Sequence, residues 1–261
     1  MSGTIGRLAA IAVFLIAQAV LAGAAEIKVY STIGVQAALE QLAPKFEKAT
    51  GNKLVITWGT AAMLVKRVQG GESADIYVLT KQGFEALAKD GKAVSSSDAL
   101  FASSSMAMVV KKGAPKPDIS TSEKYKDALL KAKAIAYSNP AAGGASGVFF
   151  AKTLDKMGVA DQIKAKTKHP PPGGNSANLV VSGEAELAVQ QQPEVMSVAG
   201  FDIVGAPPGA LNNVTSYSAG VNSTTKEASA GHALVKFLHT PEAKTVFKAR
   251  GLTPVDAPKG S

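Results

Sequence analysis

The feature that most constrains this chain is the alternation of short strand-forming runs with helical patterns across residues 27–89. Ile27–Gly34 (IKVYSTIG) begins it: Val29 and Tyr30 suit a buried strand, and Leu39, Leu42 and Phe46 then recur at helical spacing. The spacing predicts a helix over Val35–Thr50, stopped at Gly51, with Pro44 expected to kink or break it. A second strand over Lys53–Trp58 leads through Gly59-Thr60-Ala61-Ala62 into a helix ending near Gln69. Asp75–Leu79 and Gln82–Lys89 repeat the pair. Three β-α units with short connections predict a parallel sheet with helices on both faces.

Downstream, Met106–Val110 reads as a strand, and the Pro-rich stretch Ala114–Asp118 marks a change of unit. A helix over Ser122–Ala132 and a strand over Ala134–Tyr137 lead into a long small-residue loop, Ser138–Gly147. Beyond it Phe150, Leu154 and Met157 share a helical face. His169–Gly174 forms a turn that opens a short helix at Asn175 or Ser176. Glu186–Val189, Phe201–Val204 and Thr215–Val221 read as strands, and two helices close the chain.

Residues 1–25 stand apart. One positive charge, Arg7, precedes an apolar run from Leu8 to Leu21 and the small residues Ala22-Gly23-Ala24-Ala25. That is the layout of a cleaved secretory signal peptide, and the run falls short of the roughly 20 residues of a permanent span. Its removal leaves roughly 235 residues, enough for one large domain or two modest lobes. With no cysteine there is no disulfide and no lipid-attachment route, so the expectation is a freely diffusing exported protein held by an ordinary core. The net charge of +8 is carried mainly by scattered lysines, and aromatics are only 6% of the chain. A nucleic-acid surface concentrates arginine and aromatics on one face, so that class is set aside.

Four strand-to-helix turns share one character: Ser31–Gly34, Gly59–Ala62, Gly144–Gly147 and Gly173–Ser176. All are small residues, hydroxyls and glycine at a helix start, where unpaired N–H groups favour an anion. In an open α/β sheet such turns lie together at the C-terminal strand edge. None of the four carries Arg, Lys, Asp or Glu, which favours a compact anion or a nearly neutral ligand. Enzyme motifs are weak. Gly144-Ala145-Ser146-Gly147-Val148 approaches a nucleophile elbow but lacks the second glycine, and no cofactor loop or metal-ligand spacing occurs. The expectation is therefore a non-enzyme with no cofactor, no catalytic residue and no metal. A serine hydrolase using Ser146 is the distant alternative, with His169 the titratable residue nearest to the turns.

The segments IKVYSTIGVQAALEQLAPKFEKATG, ITWGTAAMLVKRVQGGESADIYVLT, GASGVFFAKTLDKMG and FLHTPEAKTVFKARGL carry a resemblance. Behind a signal peptide, they resemble the molybdate-binding family of periplasmic ABC-transporter substrate-binding proteins, over about Ile27 to Leu252. The resemblance implies a two-lobe periplasmic binding protein of the type II fold, α/β, each lobe a mostly parallel sheet flanked by helices. Lobe one is expected at 26–103 plus 221–261 and lobe two at 104–220, with ligand held in the cleft by helix N-termini and hydroxyls. An ABC permease is the implied partner, and the resemblance implies a periplasmic protein, expected to be a monomer.

At the site the sequence departs from the family. Gly34 and Ala61 stand where molybdate binders have serine, with Thr60 one position from Ala61. Ser146 stands at a backbone N–H position, and Gln191 where a tyrosine completes the site. The expected ligand-binding set is Thr32, Gly34, Thr60, Ala61, Ser146, Gly147, Gly174, Asn175 and Gln191. Molybdate or tungstate leads as ligand by family weight, followed by another oxyanion, a small organic acid or an uncharged polar metabolite.

Overall fold

The computed structural model describes residues 25–142, 145–171 and 174–257. The signal-peptide expectation therefore lies outside the described residues apart from Ala25. Among the described residues no helix is long and apolar enough to cross a membrane.

The first half builds as the periodicity predicts. Strand β1 (Glu26–Thr32) leads through a single 3-10 turn, Ile33–Val35, into α1 (Gln36–Thr50). β2 (Lys53–Gly59), α2 (Ala61–Gln69), β3 (Ile76–Thr80) and α3 (Lys81–Lys89) follow. β1 pairs in parallel with β2 on one side and β3 on the other. Successive residues of these strands serve opposite faces. Ile27, Val29, Ile76 and Val78 pack with α1 residues Leu39, Leu42 and Phe46, while Tyr30, Tyr77 and Leu79 pack with Leu64, Phe84 and Leu87. Helix α1 runs unbroken through Pro44, which is exposed; the buried Leu39, Leu42 and Phe46 hold the helix on both sides of it.

Strand β4 (Ala99–Ser104) is followed after one residue by β5 (Met106–Lys111). Next come α4 (Ser122–Lys131), β6 (Ile135–Tyr137), α5 (Ala145–Lys156), α6 (Ala160–Lys164) and β7 (Thr167–Lys168). The second lobe is completed by α7 (Ala177–Ser182), β8 (Leu187–Gln191), α8 (Gln192–Val195) and β9 (Phe201–Gly205). The chain then returns as β10 (Thr215–Val221), α9 (Ala228–Phe237), α10 (Pro241–Ala249) and β11 (Thr253–Pro254). Two sheets result, ordered β11-β4-β10-β3-β1-β2 and β7-β6-β8-β5-β9, each with helices and a hydrophobic cluster on both faces.

One boundary differs from expectation. Residues up to 220 are expected in the second lobe, with the return crossing within Thr215–Val221, but β10 lies wholly inside the six-stranded sheet, antiparallel to both β3 and β4. Its last five residues are buried there. The physical reason is long-range pairing at its exit: the Asn222 N–H donates to the Asp75 carbonyl at 2.9 Å and Asn222 Nδ2 to the Ala74 carbonyl at 2.8 Å, which fixes the end of β10 beside the start of β3. The outward crossing is Ser105, between β4 and β5, so Ser104 also belongs to the first sheet.

The segment Gly70–Thr80 (GGESADIYVLT), part of the stretches that carry the resemblance, pins the first sheet. Asp75 accepts from the Lys28 N–H at 2.8 Å and the Thr225 hydroxyl at 2.6 Å, fastening β3 between β1 and the exit of β10. Glu72 pairs with Arg67 at 2.6 Å and accepts from the Tyr30 hydroxyl, while the Arg67 guanidinium lies 4.9 Å from the centre of the Tyr30 ring.

Gly34 is required by packing across this sheet. A Cβ there would fall 2.5 Å from the Tyr217 hydroxyl and 2.9 Å and 3.0 Å from two of its ring carbons. Gly34→Ser is therefore expected to lower unfolding free energy by about 1–3 kcal/mol, with Tm falling roughly 2–4 °C per kcal/mol in a thermal melt. The loss should persist in a Tyr217→Phe background, because the ring carbons collide as well as the hydroxyl.

Candidate functional site

Parallel register brings the ends of the first three strands to one edge. Thr32 pairs with Gly59, and Ser31 with Trp58 and Val78, so Thr32, Thr60 and Thr80 all emerge there, beside the start of β10, where Tyr217 pairs with Thr80. In the second sheet Tyr137 pairs with Val189, which places the ends of β6 and β8 together. The two edges enclose three adjoining cavities of about 600, 410 and 180 Å³ that share Ile33 and Glu194.

Most of the expected residues arrive at this cleft. Thr32, Gly34, Thr60, Ala61 and Gln191 line the largest cavity. Thr60, Ser146 and Gly174 line the second, and Gly174 and Asn175 the third. Gly147 lines none of them. A Cβ on it would fall 2.1 Å from the Ser138 carbonyl oxygen, so its glycine allows α5 to approach the backbone after β6. Gly144 and Gly173, members of the third and fourth turns, lie outside the described residues.

The side chains are less available than the sequence suggests. Thr60 caps α2 by accepting from the Met63 N–H at 3.2 Å. Asn175 accepts from the Ala177 N–H at 2.9 Å and donates to the Glu194 carbonyl and to Ser197 Oγ. Gln191 accepts from Ser104 Oγ at 2.5 Å and donates to Thr215 Oγ1 at 2.8 Å. With Ser104 donating there, the Tyr217 hydroxyl donates to Ser104 Oγ at 3.0 Å. Gln191 is thus a brace between β8 and the two strand ends next to the crossings.

Several cleft residues lie outside the expected set, four of them with chemistry that bears on a ligand. The β3-to-α3 turn is a fifth member of the series: Thr80 caps α3 through the Gly83 N–H at 3.2 Å, and Lys81 brings an ammonium group to the largest cavity. Lys81 lies 3.3 Å from Glu85 and 3.8 Å from Asp98, with its side chain 46% exposed. The signal was present, since Leu79-Thr80-Lys81-Gln82-Gly83 follows the third strand as Thr32 and Thr60 follow the first two. Tyr217, packed against Gly34, lines the same cavity.

Glu194, on the short helix after β8, had no comparable signal, because its position depends on how the second sheet meets the first. It lines all three cavities and is the ionisable residue common to them. Gln190 Nε2 donates to Glu194 Oε2, and Gln190 Oε1 accepts from the Ser176 N–H at 2.7 Å. The Glu194 residue surface is only partly covered, yet protein surrounds the carboxyl on most sides. Burial pushes it up to about 7, against the opposing effect of Gln190. Tyr217 is raised too, by burial first and then by the charge of Glu194, with the Ser104 hydrogen bond opposing.

Among the described residues no histidine lines the three cavities, and no group of His, Cys, Asp and Glu has the arrangement of a metal site. His169 Nδ1 is 2.8 Å from the Tyr137 carbonyl oxygen, with its ring edge-on to Tyr137. Among the described residues no hydrogen bond joins His169 to Ser146, so the serine-hydrolase alternative gains no support from this contact.

The comparisons with known proteins agree with this architecture. A model described as bacterial extracellular solute-binding protein matches residues 27–253. The aconitate isomerase of a Pseudomonas species is 34% identical over 235 residues, covering 88% of each chain. The molybdate-binding protein of Escherichia coli is 24% identical over 247 residues, covering 92% of this chain and 93% of its own. The solved periplasmic molybdate-binding protein of Azotobacter vinelandii superposes with a TM-score of 0.69 at 22% identity, over 87% of this chain and 98% of that one. These relatives include transport proteins and a protein named as an enzyme, so membership alone does not carry the expectation of a non-enzyme. The chain belongs to the bacterial extracellular solute-binding proteins, as a substrate-binding protein of the ABC-transporter type with the molybdate-binding-like type II periplasmic fold.

Proposed function

We propose that the protein captures a small unsaturated polycarboxylic acid of the aconitate class in the interlobe cleft and delivers it to an ABC permease. The observation that carries this reading is the size and donor distribution of the cleft. A cavity of about 600 Å³ lies within the range of small-molecule sites, about 300–1,000 Å³. Its donors are spread over Thr32, Thr60, Thr80, Lys81 and Thr215. A tetrahedral oxyanion needs one tight ring of donors, whereas an acid with several carboxylates uses separated ones. The hydroxyls a molybdate binder would offer are absent at Gly34 and Ala61, and Tyr217 fills the space beside Gly34. The 34% identity to an aconitate isomerase favours the same ligand class over the molybdate expected by family weight.

That relative also favours a second reading, in which the acid is interconverted between its double-bond isomers rather than only carried. Proton NMR of trans-aconitate incubated with the protein reads this directly, and growth of the cis signals is the expected result.

Calorimetric titration with trans-aconitate, cis-aconitate, citrate, molybdate, tungstate and sulfate tests the capture reading. Saturable heat with the tricarboxylates is expected. Tight molybdate binding with no response to any carboxylate would sink it. Lys81→Ala should weaken tricarboxylate binding by about 1–1.4 kcal/mol, roughly five- to tenfold, and reduce its salt dependence.

The raised carboxyl of Glu194 sets the pH dependence. An anionic ligand beside it favours the protonated form, so binding takes up a proton and affinity falls as pH rises from 6 to 8 through about 7. Glu40, Lys81, Glu85 and Tyr217 are the other ionisable groups lining the cavities. Titrations in buffers of different ionisation enthalpy should show this proton uptake, and Glu194→Gln should abolish it.

A further inference from the structure

We propose that Glu194 is the proton carrier of an allylic isomerisation in this cleft, taking a proton from one carbon of a bound unsaturated polycarboxylate and returning it two carbons away. The assignment rests on the second reading above.

Glu194 is the ionisable residue shared by all three cavities, so a ligand filling any of them approaches it. Its carboxylate is held from one side only: Gln190 Nε2 donates to Oε2, and the Ser176 N–H fixes the far end of that amide at 2.7 Å. Among the described residues, no protein donor reaches Oε1. The backbone is pinned as well, since the Glu194 carbonyl accepts from Asn175 Nδ2 and from Ser197 Oγ at 2.7 Å. A carboxylate placed this way opposes anion binding through like-charge repulsion. Pure capture gives no reason for it, whereas proton transfer does. Its elevation to about 7 by burial leaves both protonation states populated near neutral pH, as a group that takes and returns a proton requires.

The reaction balances without a co-reactant. Glu194 Oε1 takes a proton from the CH2 group beside one carboxylate, forming an O–H bond. The C–H electron pair becomes a new double bond to the central carbon. The original double-bond pair moves through the distal carbon onto its carboxylate, giving a dienolate. That pair then returns, the distal carbon takes the proton from Glu194, and the double bond has shifted by one position. Charge building on the distal carboxylate is met by Lys81 and by the N–H groups at the starts of α2 and α3.

The experiment compares wild type, Glu194→Gln and Glu194→Asp by calorimetry and by proton NMR with trans-aconitate. Glutamine keeps an acceptor for Gln190 but carries no titratable proton. The expected result is that Glu194→Gln binds trans-aconitate at least as well as wild type. Its interconversion rate should fall by about 10²–10⁴-fold, with Glu194→Asp recovering part of the loss. If Glu194→Gln interconverts at the wild-type rate, the assignment of Glu194 is overturned while the isomerase reading stands. If wild type binds without interconverting, both the isomerase reading and the assignment fall and capture stands. If wild type does not bind, all three fall.

Discussion

The cleft depends on one buried hydroxyl. Ser104, the last residue of β4, donates to Gln191 at the end of β8 and receives the Tyr217 hydroxyl of β10, while Gln191 reaches on to Thr215. These bonds tie the second lobe to the first at the edge where the chain crosses between sheets. Buried polar groups of this kind are costly when unpaired and are well satisfied here, so the network specifies one arrangement of the strand ends. Tyr217, held by Ser104, then occupies the space next to Gly34 and sets the wall of the largest cavity.

Much of the fold was legible because each element repeats its own period. Short runs of strand formers in IKVYST and DIYVLT marked β1 and β3, and Leu39, Leu42 and Phe46 marked the buried stripe of α1. Thr60 and Thr80 at helix starts are cap residues whose side-chain oxygens accept N–H bonds in the structure, as local sequence implies. What could not be read was whatever depends on pairing between distant segments. β10 has a strand's sequence wherever it is placed, and its membership of the first sheet follows from Asp75 and Asn222 anchoring its exit beside β3. Gln191 read as a ligand contact because it aligns with one in molybdate binders. Its amide instead bridges Ser104 and Thr215, which lie 87 and 24 residues away in the chain. Glu194 is one of many glutamates until the two sheets meet around it.

The chemistry of the cleft follows from a conflict of charge. Helix starts at α2 and α3, threonine hydroxyls and Lys81 make an environment favourable to anions, and Glu194 opposes it. For capture alone that opposition is unfavourable, because like charges weaken binding and desolvating a carboxyl has its own cost. The same features are consistent in an isomerase. Donors that hold a carboxylate in the ground state become stronger partners when that carboxylate takes on enolate charge, and the conflict is relieved once Glu194 holds the proton. Closing two lobes over a ligand would exclude water, which in the capture reading strengthens the donors that retain the acid and in the proposed isomerase keeps the proton on Glu194 from exchanging away. On this scaffold the step from carrying an acid to rearranging it therefore requires little new architecture. It requires one carboxyl that the cleft keeps near neutrality, and Gln190 with Ser176 to hold it at the floor.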